Sequence, residues 1–112
     1  MRDKISVCLT VGNEENTIER CLKSLGWVDE IVVVDSFSED RTVDICRRYT
    51  DRVYQHAWRG YVGQKDLIKG MATHPWILFI DADEEVSPQL RDEILDEFEH
   101  GRNRAYAGYE FP

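Results

Sequence analysis

Asp81 and Asp83 stand two residues apart where a hydrophobic run, Trp76 to Ile80, gives way to four acids interrupted only by Ala82. Were the run a strand that stays extended to Asp83, the two carboxylates would share a face with roughly 6.5 Å between their Cα atoms. Anionic groups held that close repel each other unless a counter-charge joins them. A divalent cation that prefers oxygen, Mg²⁺ or Mn²⁺, supplies one. The opposing reading is that Asp83, Glu84 and Glu85 favour the positive end of the helix that opens near Ser87. For Glu84 and Glu85 that helix reading is the stronger one.

Two further polar clusters follow apolar runs, TVGNEE after the first and DSFSED after the second. Asp35 ends the second run, where an acid can hydrogen-bond a ribose or base edge; alternatively it is the acid of the turn before a helix. Thr10, Val11 and Glu14 bound the first turn, with Glu14 also readable as a first-turn helix acid. Gln64 and Lys65 open a later helical stretch, where a lysine can meet a phosphate or simply face solvent.

These residues need a scaffold, and the apolar pattern supplies one. KISVCLT (Lys4 to Thr10), EIVVVD (Glu30 to Asp35), a weaker RVYQH (Arg52 to His56) and WILFID (Trp76 to Asp81) read as strands. The first, second and fourth lack polar alternation, which suits strands covered on both faces of a parallel sheet. Between them, Ile18, Cys21, Leu22 and Leu25, then Val43, Ile45, Cys46 and Tyr49, recur at helical spacing. Asn13 is expected to cap the first helix, Ser38 the second, and Ser87 with Pro88 a last helix through Phe98. Gly26 and Gly101 fall where helix ends favour a left-handed residue. A third helix is expected over Gln64 to Met71, after a loop HAWRGYVG, and Gly108 to Phe111 reads as the start of another strand. The expected fold class is α/β: a mostly parallel sheet with helices on both faces and right-handed crossovers. In such sheets ligands bind beyond the carboxyl ends of the strands, where all three polar clusters fall.

Composition narrows the partners. The 112 residues, 42% hydrophobic, suit one domain, with no internal repeat or linker. A net charge of -8 argues against nucleic acid, since a phosphate backbone calls for a basic face, and an anionic ligand would need a cation as intermediary. Three cysteines without C-x-x-C spacing read as reduced core thiols, and no segment reads as a signal peptide or membrane span, so the expected location is cytoplasmic. The final GYEFP follows turn signals, which reads as a domain ending inside an element, a fragment or a short member of a larger fold.

The stretches SVCLTVGNEENTIERCLKSL, WVDEIVVVDSFSEDRTV, GQKD and WILFIDADEEVS together resemble the family-two glycosyltransferases, enzymes with a nucleotide-sugar-binding GT-A fold. Within that family they are most similar to bacterial lipopolysaccharide-core β-glucosyltransferases. The resemblance implies that residues 1–112 are a nucleotide-sugar-binding domain, the donor half of a metal-dependent, inverting enzyme. Thr10, Val11 and Glu14 would bound the base pocket, Asp35 would contact the nucleoside, and Gln64 and Lys65 would lie near the donor. Asp81 would touch ribose or metal, and Asp83 would coordinate Mg²⁺ or Mn²⁺ on the diphosphate. The implied partners are a UDP-sugar donor and a glycan or lipid-linked acceptor, with a location extending to the cytoplasmic face of the inner membrane. The catalytic base is expected beyond Pro112.

Three positions depart from the family's pattern: Gly12 where a bulkier residue is usual, Phe37 in place of glycine, and Asp66 in place of asparagine. A ring at position 37 would narrow the pocket or stack on a base. Two other classes share part of the pattern, a non-catalytic nucleotide-sugar binder and a phospho-receiver signalling domain. A receiver places acids after its first and third strands, where this chain has Thr10 and His56.

Overall fold

Side chains alternate between the two faces of a strand, and the apolar runs use that alternation to build two separate cores. The computed structural model describes residues 4–99 and 108–110. Its strands are β1 (Ile5–Val11), β2 (Glu30–Asp35), β3 (Val53–Gln55), β4 (Trp76–Phe79) and β5 (Gly108–Glu110). Helices α1 (Ile18–Lys23), α2 (Thr42–Cys46), α3 (Gly60–Lys69) and α4 (Pro88–Glu99) separate them in strict alternation. Ile5, Val7, Leu9 and Val11 of β1, with Val33 and Leu78, pack against Ile18 and Leu22 of α1, Ile45 of α2 and Ile94 of α4. The intervening residues Cys8, Val32, Val34, Ile77 and Phe79 face the other way and pack with Leu67 and Ile68 of α3. Burial of each large aliphatic side chain stabilises by about 1.5–3 kcal/mol.

The sheet order is β3-β2-β1-β4-β5, and all its pairings are parallel. This is the 3-2-1-4-5 order of doubly wound folds, whereas receiver-type domains follow 2-1-3-4-5. The receiver alternative therefore fails on topology. The order reverses between β1 and β4, which places the ligand crevice at the carboxyl ends of those two strands.

Several local expectations are corrected. β1 is shifted to end at Val11, β3 is shorter, and β4 stops at Phe79, short of the acids. Asn13 is not a helix cap: Thr17 precedes α1, while Asn13 adopts φ 54° and accepts from the Glu39 N–H at 2.8 Å. Ser38 is not the α2 cap either. Arg41 holds that position, and Ser38 bonds Asp35 through both its N–H and its hydroxyl. Gly26 is not left-handed, since Gly60 is the glycine with positive φ among the described residues. Helix α3 begins at Gly60, inside the segment expected to be a loop. The Ser87 expectation holds: its hydroxyl accepts from the Leu90 N–H at 3.1 Å, with Pro88 opening α4. Gly101 and Phe111 lie outside the described residues.

All three cysteines are free and buried. Burial, the leading cause in each case, pushes the thiols of Cys8, Cys21 and Cys46 up to about 12. At pH 8 roughly one thiol in ten thousand is then the reactive thiolate. Ellman's reagent should accordingly leave the native chain unlabelled and titrate three thiols in urea. Rapid native labelling would place a thiol at the surface.

Candidate functional site

The carboxyl ends of β1 and β4 and the start of α3 enclose a cleft of about 620 Å³. Thr10, Val11, Gly12 and Glu14 form one wall, joined by Ser36 after β2. Phe79, Asp81, Ala82 and Asp83 form the β4 side, and Trp58, Tyr61 and Lys65 close it from α3 and its approach. Of the residues singled out in sequence, Thr10, Val11, Glu14, Lys65, Asp81 and Asp83 therefore converge on one cavity.

The acidic loop is held in a turn, not in the extended geometry expected of it. The Glu84 N–H donates to the Asp81 carbonyl at 3.0 Å, and the Glu84 carboxylate accepts from the Asp81 N–H at 3.1 Å. The Cys21 thiol of α1 donates to the Asp81 carbonyl at 3.7 Å, and the Val86 N–H donates to the Ser24 hydroxyl at 2.9 Å. Ala82 and Val86 are buried anchors, 4% and 7% exposed, so Asp81 and Asp83 between and beside them turn outward into the cleft. Glu84 and Glu85 precede α4, which starts at Pro88, so neither belongs to that helix. Glu84 instead closes the turn that presents the two aspartates.

The opposite loop is locked across the β1 and β2 ends. The N–H groups of Asn13 and Glu14 donate to the hydroxyls of Ser38 and Thr42 at 2.7 and 2.8 Å. The Glu14 carboxyl is raised above its ordinary range, first by burial and then by the charges of Asp83, Asp40 and Asp81, with a Thr17 hydrogen bond acting the other way. Four acids from three loops thus share one electrostatic environment. Lys65 lines the same cleft, its ammonium lying 5.5 Å from the centroid of the Phe79 ring.

Two expected site residues do not line the cleft. Asp35 is fully buried; its carboxylate accepts from the Ser38 N–H at 2.8 Å and the Gln55 amide at 3.3 Å. It fixes the β2–α2 turn against which Asn13 and Glu14 are bonded. Gln64 is also fully buried, and neither its amide nitrogen nor its oxygen has a hydrogen-bond partner. Leaving such a group unpaired costs on the order of 1–3 kcal/mol, which a ligand or solvent atom reaching it would recover. Phe37 does not narrow the cavity: its ring is 58% exposed and its backbone sits at φ 56°, a left-handed conformation that favours glycine. Conversely, Trp58 and Tyr61 line the cleft, although in sequence HAWRGYVG reads as a loop. The i, i+4 spacing of Tyr61 and Lys65, once the helix is extended back to Gly60, was the available signal for the tyrosine; Trp58 precedes the helix and carries none.

Among the described residues no three His, Cys, Asp or Glu side chains stand together as a ready-made metal cage. Small hard cations are commonly held by one or two carboxylates, with substrate phosphates and water completing the shell. The exposed oxygens of Asp81 and Asp83 fit that kind of site.

A parallel 3-2-1-4-5 sheet with its cleft at the β1/β4 switch point defines a doubly wound α/β domain that takes its ligand at the strand ends. The chain belongs to glycosyl transferase family 2, whose family model matches residues 6–109. It is 41% identical over 96 residues to the lipopolysaccharide core biosynthesis glycosyltransferase LpsC of Rhizobium meliloti, covering 81% of this chain and 34% of LpsC. The structure of S. aureus TarS 1–349 superposes with a TM-score of 0.72 at 29% identity, covering 88% of this chain and 33% of TarS 1–349. The M. tuberculosis glucosyl-3-phosphoglycerate synthase, solved in complex with Mn²⁺ and UDP-glucose, gives a TM-score of 0.59 at 32% identity, covering 72% and 33%. The fold is thereby that of GT-A glycosyltransferases. The chain spans 37–39% of the length of the first curated relatives it matches.

Proposed function

We propose that residues 1–112 form the nucleotide-sugar-binding domain of a metal-dependent glycosyltransferase that moves glucose from UDP-glucose to a glycan or lipopolysaccharide-core acceptor. The observation that carries this reading is the convergence of Asp81, Asp83, Lys65, Thr10 and Glu14 on one cleft at the switch point. The Mn²⁺ and UDP-glucose of the mycobacterial synthase and the lipopolysaccharide-core role in the name of LpsC support the donor and acceptor classes.

In this proposal Thr10, Val11 and Glu14 border the base, and Asp35 acts by holding the turn beneath the nucleoside. Lys65 offers its charge to the diphosphate, and Gln64, unpaired beside it in sequence, is a donor-side residue. Asp81 and Asp83 would hold Mg²⁺ or Mn²⁺, and that ion, when bound, supplies Lewis-acid stabilisation of the leaving diphosphate. The acceptor hydroxyl displaces the diphosphate with inversion. The catalytic base and the acceptor-binding part are proposed to lie downstream of Pro112. No helix among the described residues is long and apolar enough to cross a membrane; we place the domain in the cytoplasm, extending to the inner-membrane face where lipid-linked acceptors reside.

Calorimetric titration of the 112-residue chain with UDP tests the donor site. Binding is expected in Mn²⁺ and is expected to fall roughly 100-fold or more in EDTA. Equal affinity in EDTA would remove the metal from the site, and no binding in either condition would overturn the donor-site reading.

A further inference from the structure

Trp58 and Tyr61 are large, exposed and placed with care. They are 51% and 78% accessible, yet their rings meet edge to face with centroids 5.1 Å apart. Both border the cleft that holds the aspartates. The chain reaches them through a fixed route: the His56 N–H donates to the Asp35 carbonyl at 2.8 Å, and Gly60, at φ 82°, turns the segment into α3. A side chain at position 60 would be strained in that left-handed conformation.

The route starts the segment that carries the rings at the β2 end of the cleft. Trp58 follows β3 by three residues and is tethered through His56 to the end of β2. Asp81 and Asp83 follow β4, on the other side of β1 in the sheet. On the wall that includes β1's end, Gly12 presents bare backbone, with Ser36 Oγ as the nearest atom to a Cβ built there, at 3.3 Å. A cation-held diphosphate at Asp81 and Asp83 leaves the β2 side for the nucleoside, where a flat ring would find a wall of bare glycine backbone and an aromatic one.

We infer that Trp58, steadied by the ring of Tyr61, is a nucleobase-stacking residue of this cleft. The inference rests on the donor-site proposal above. Base–aromatic stacking tolerates any base because each has a π-face, so Trp58 contributes affinity for the nucleoside without choosing its identity.

Calorimetry with UDP, UDP-glucose and inorganic pyrophosphate, all in Mn²⁺, tests it on the 112-residue chain and on W58A and W58F, with circular dichroism confirming the fold. W58A is expected to weaken UDP and UDP-glucose by the same factor, roughly tenfold, and to leave pyrophosphate unchanged, while W58F retains most of the affinity. Unchanged UDP affinity in W58A overturns stacking but spares the donor site. Equal losses for UDP and pyrophosphate, or a loss confined to UDP-glucose, overturn the assignment to the base, the latter moving the ring to the sugar. Failure of the unsubstituted chain to bind UDP overturns the donor site and this inference with it.

Discussion

Asp83→Ala is expected to reduce UDP affinity in Mn²⁺ to the level the unsubstituted chain shows in EDTA, a loss of roughly 100-fold or more. Removing a group that merely orients a metal ligand typically costs 10–100-fold, and Asp83 is proposed as a ligand itself. The substitution is informative because the loop does not depend on this carboxylate. Its turn is closed by the Glu84 N–H on the Asp81 carbonyl, its far end by the Val86 N–H on Ser24, and its seat by buried Ala82. Asp92→Ala, on exposed α4, removes an equal charge away from the cleft and should leave UDP binding unchanged. Binding by Asp83→Ala that remains sensitive to EDTA and close to parental strength would remove Asp83 from the metal site.

The largest expected effect on stability lies at the opposite ends of the strands. The Glu30 carboxylate accepts from the Ser6 hydroxyl at 2.7 Å, the Thr73 N–H and hydroxyl at 3.0 and 2.8 Å, and the Arg52 guanidinium at 2.8 Å. It joins the start of β1, the approach to β3 and the segment before β4, and its side chain is 13% exposed. Burial by itself would raise its pKa, but the hydrogen bonds from Thr73, Ser6 and Arg52 outweigh burial and lower it from 4.5 to about 2.

A drop of that size corresponds to about 3 kcal/mol of folding stability. Because the folded-state value is depressed, this contribution is fully present above about pH 4.5 and is lost as the pH falls towards 2. Glu30→Gln should therefore destabilise the chain by about 2–3 kcal/mol at pH 7, measured by urea denaturation. The gap between parent and variant should close on acidification towards pH 2. A gap that stays constant from pH 7 to pH 3 would show that ionisation of Glu30 is not the source. The affinity of the folded chain for UDP should not change, since Glu30 and the cleft sit at opposite ends of the strands.

The two predictions separate scaffold from site, and the sequence reveals these unequally. Strands and their order along the chain are legible because burial on both faces demands unbroken apolar runs such as Ile31 to Val34 and Trp76 to Ile80. Helix ends are less so. Asn13 and Ser38 have the composition of caps, yet each is recruited by the neighbouring loop, a competition between local and long-range hydrogen bonds that spacing does not display. Helix α3 is misjudged at its start for a related reason: two glycines and two aromatics in HAWRGYVG read as irregular, and packing of α3 on the sheet overrides that weak propensity.

The sequence by itself determined the α/β class, the family, and the three polar clusters that strand ends must carry to one edge. These follow from periodicity and residue type, which are local properties. Only the tertiary structure decided that the acids form a turn closed by Glu84, that Asp35 and Gln64 are buried and do not line the cavity, and that Trp58 and Tyr61 stand in its wall. Those outcomes depend on which loop meets which across the β1/β4 reversal, and contacts between residues distant in sequence leave no period to read.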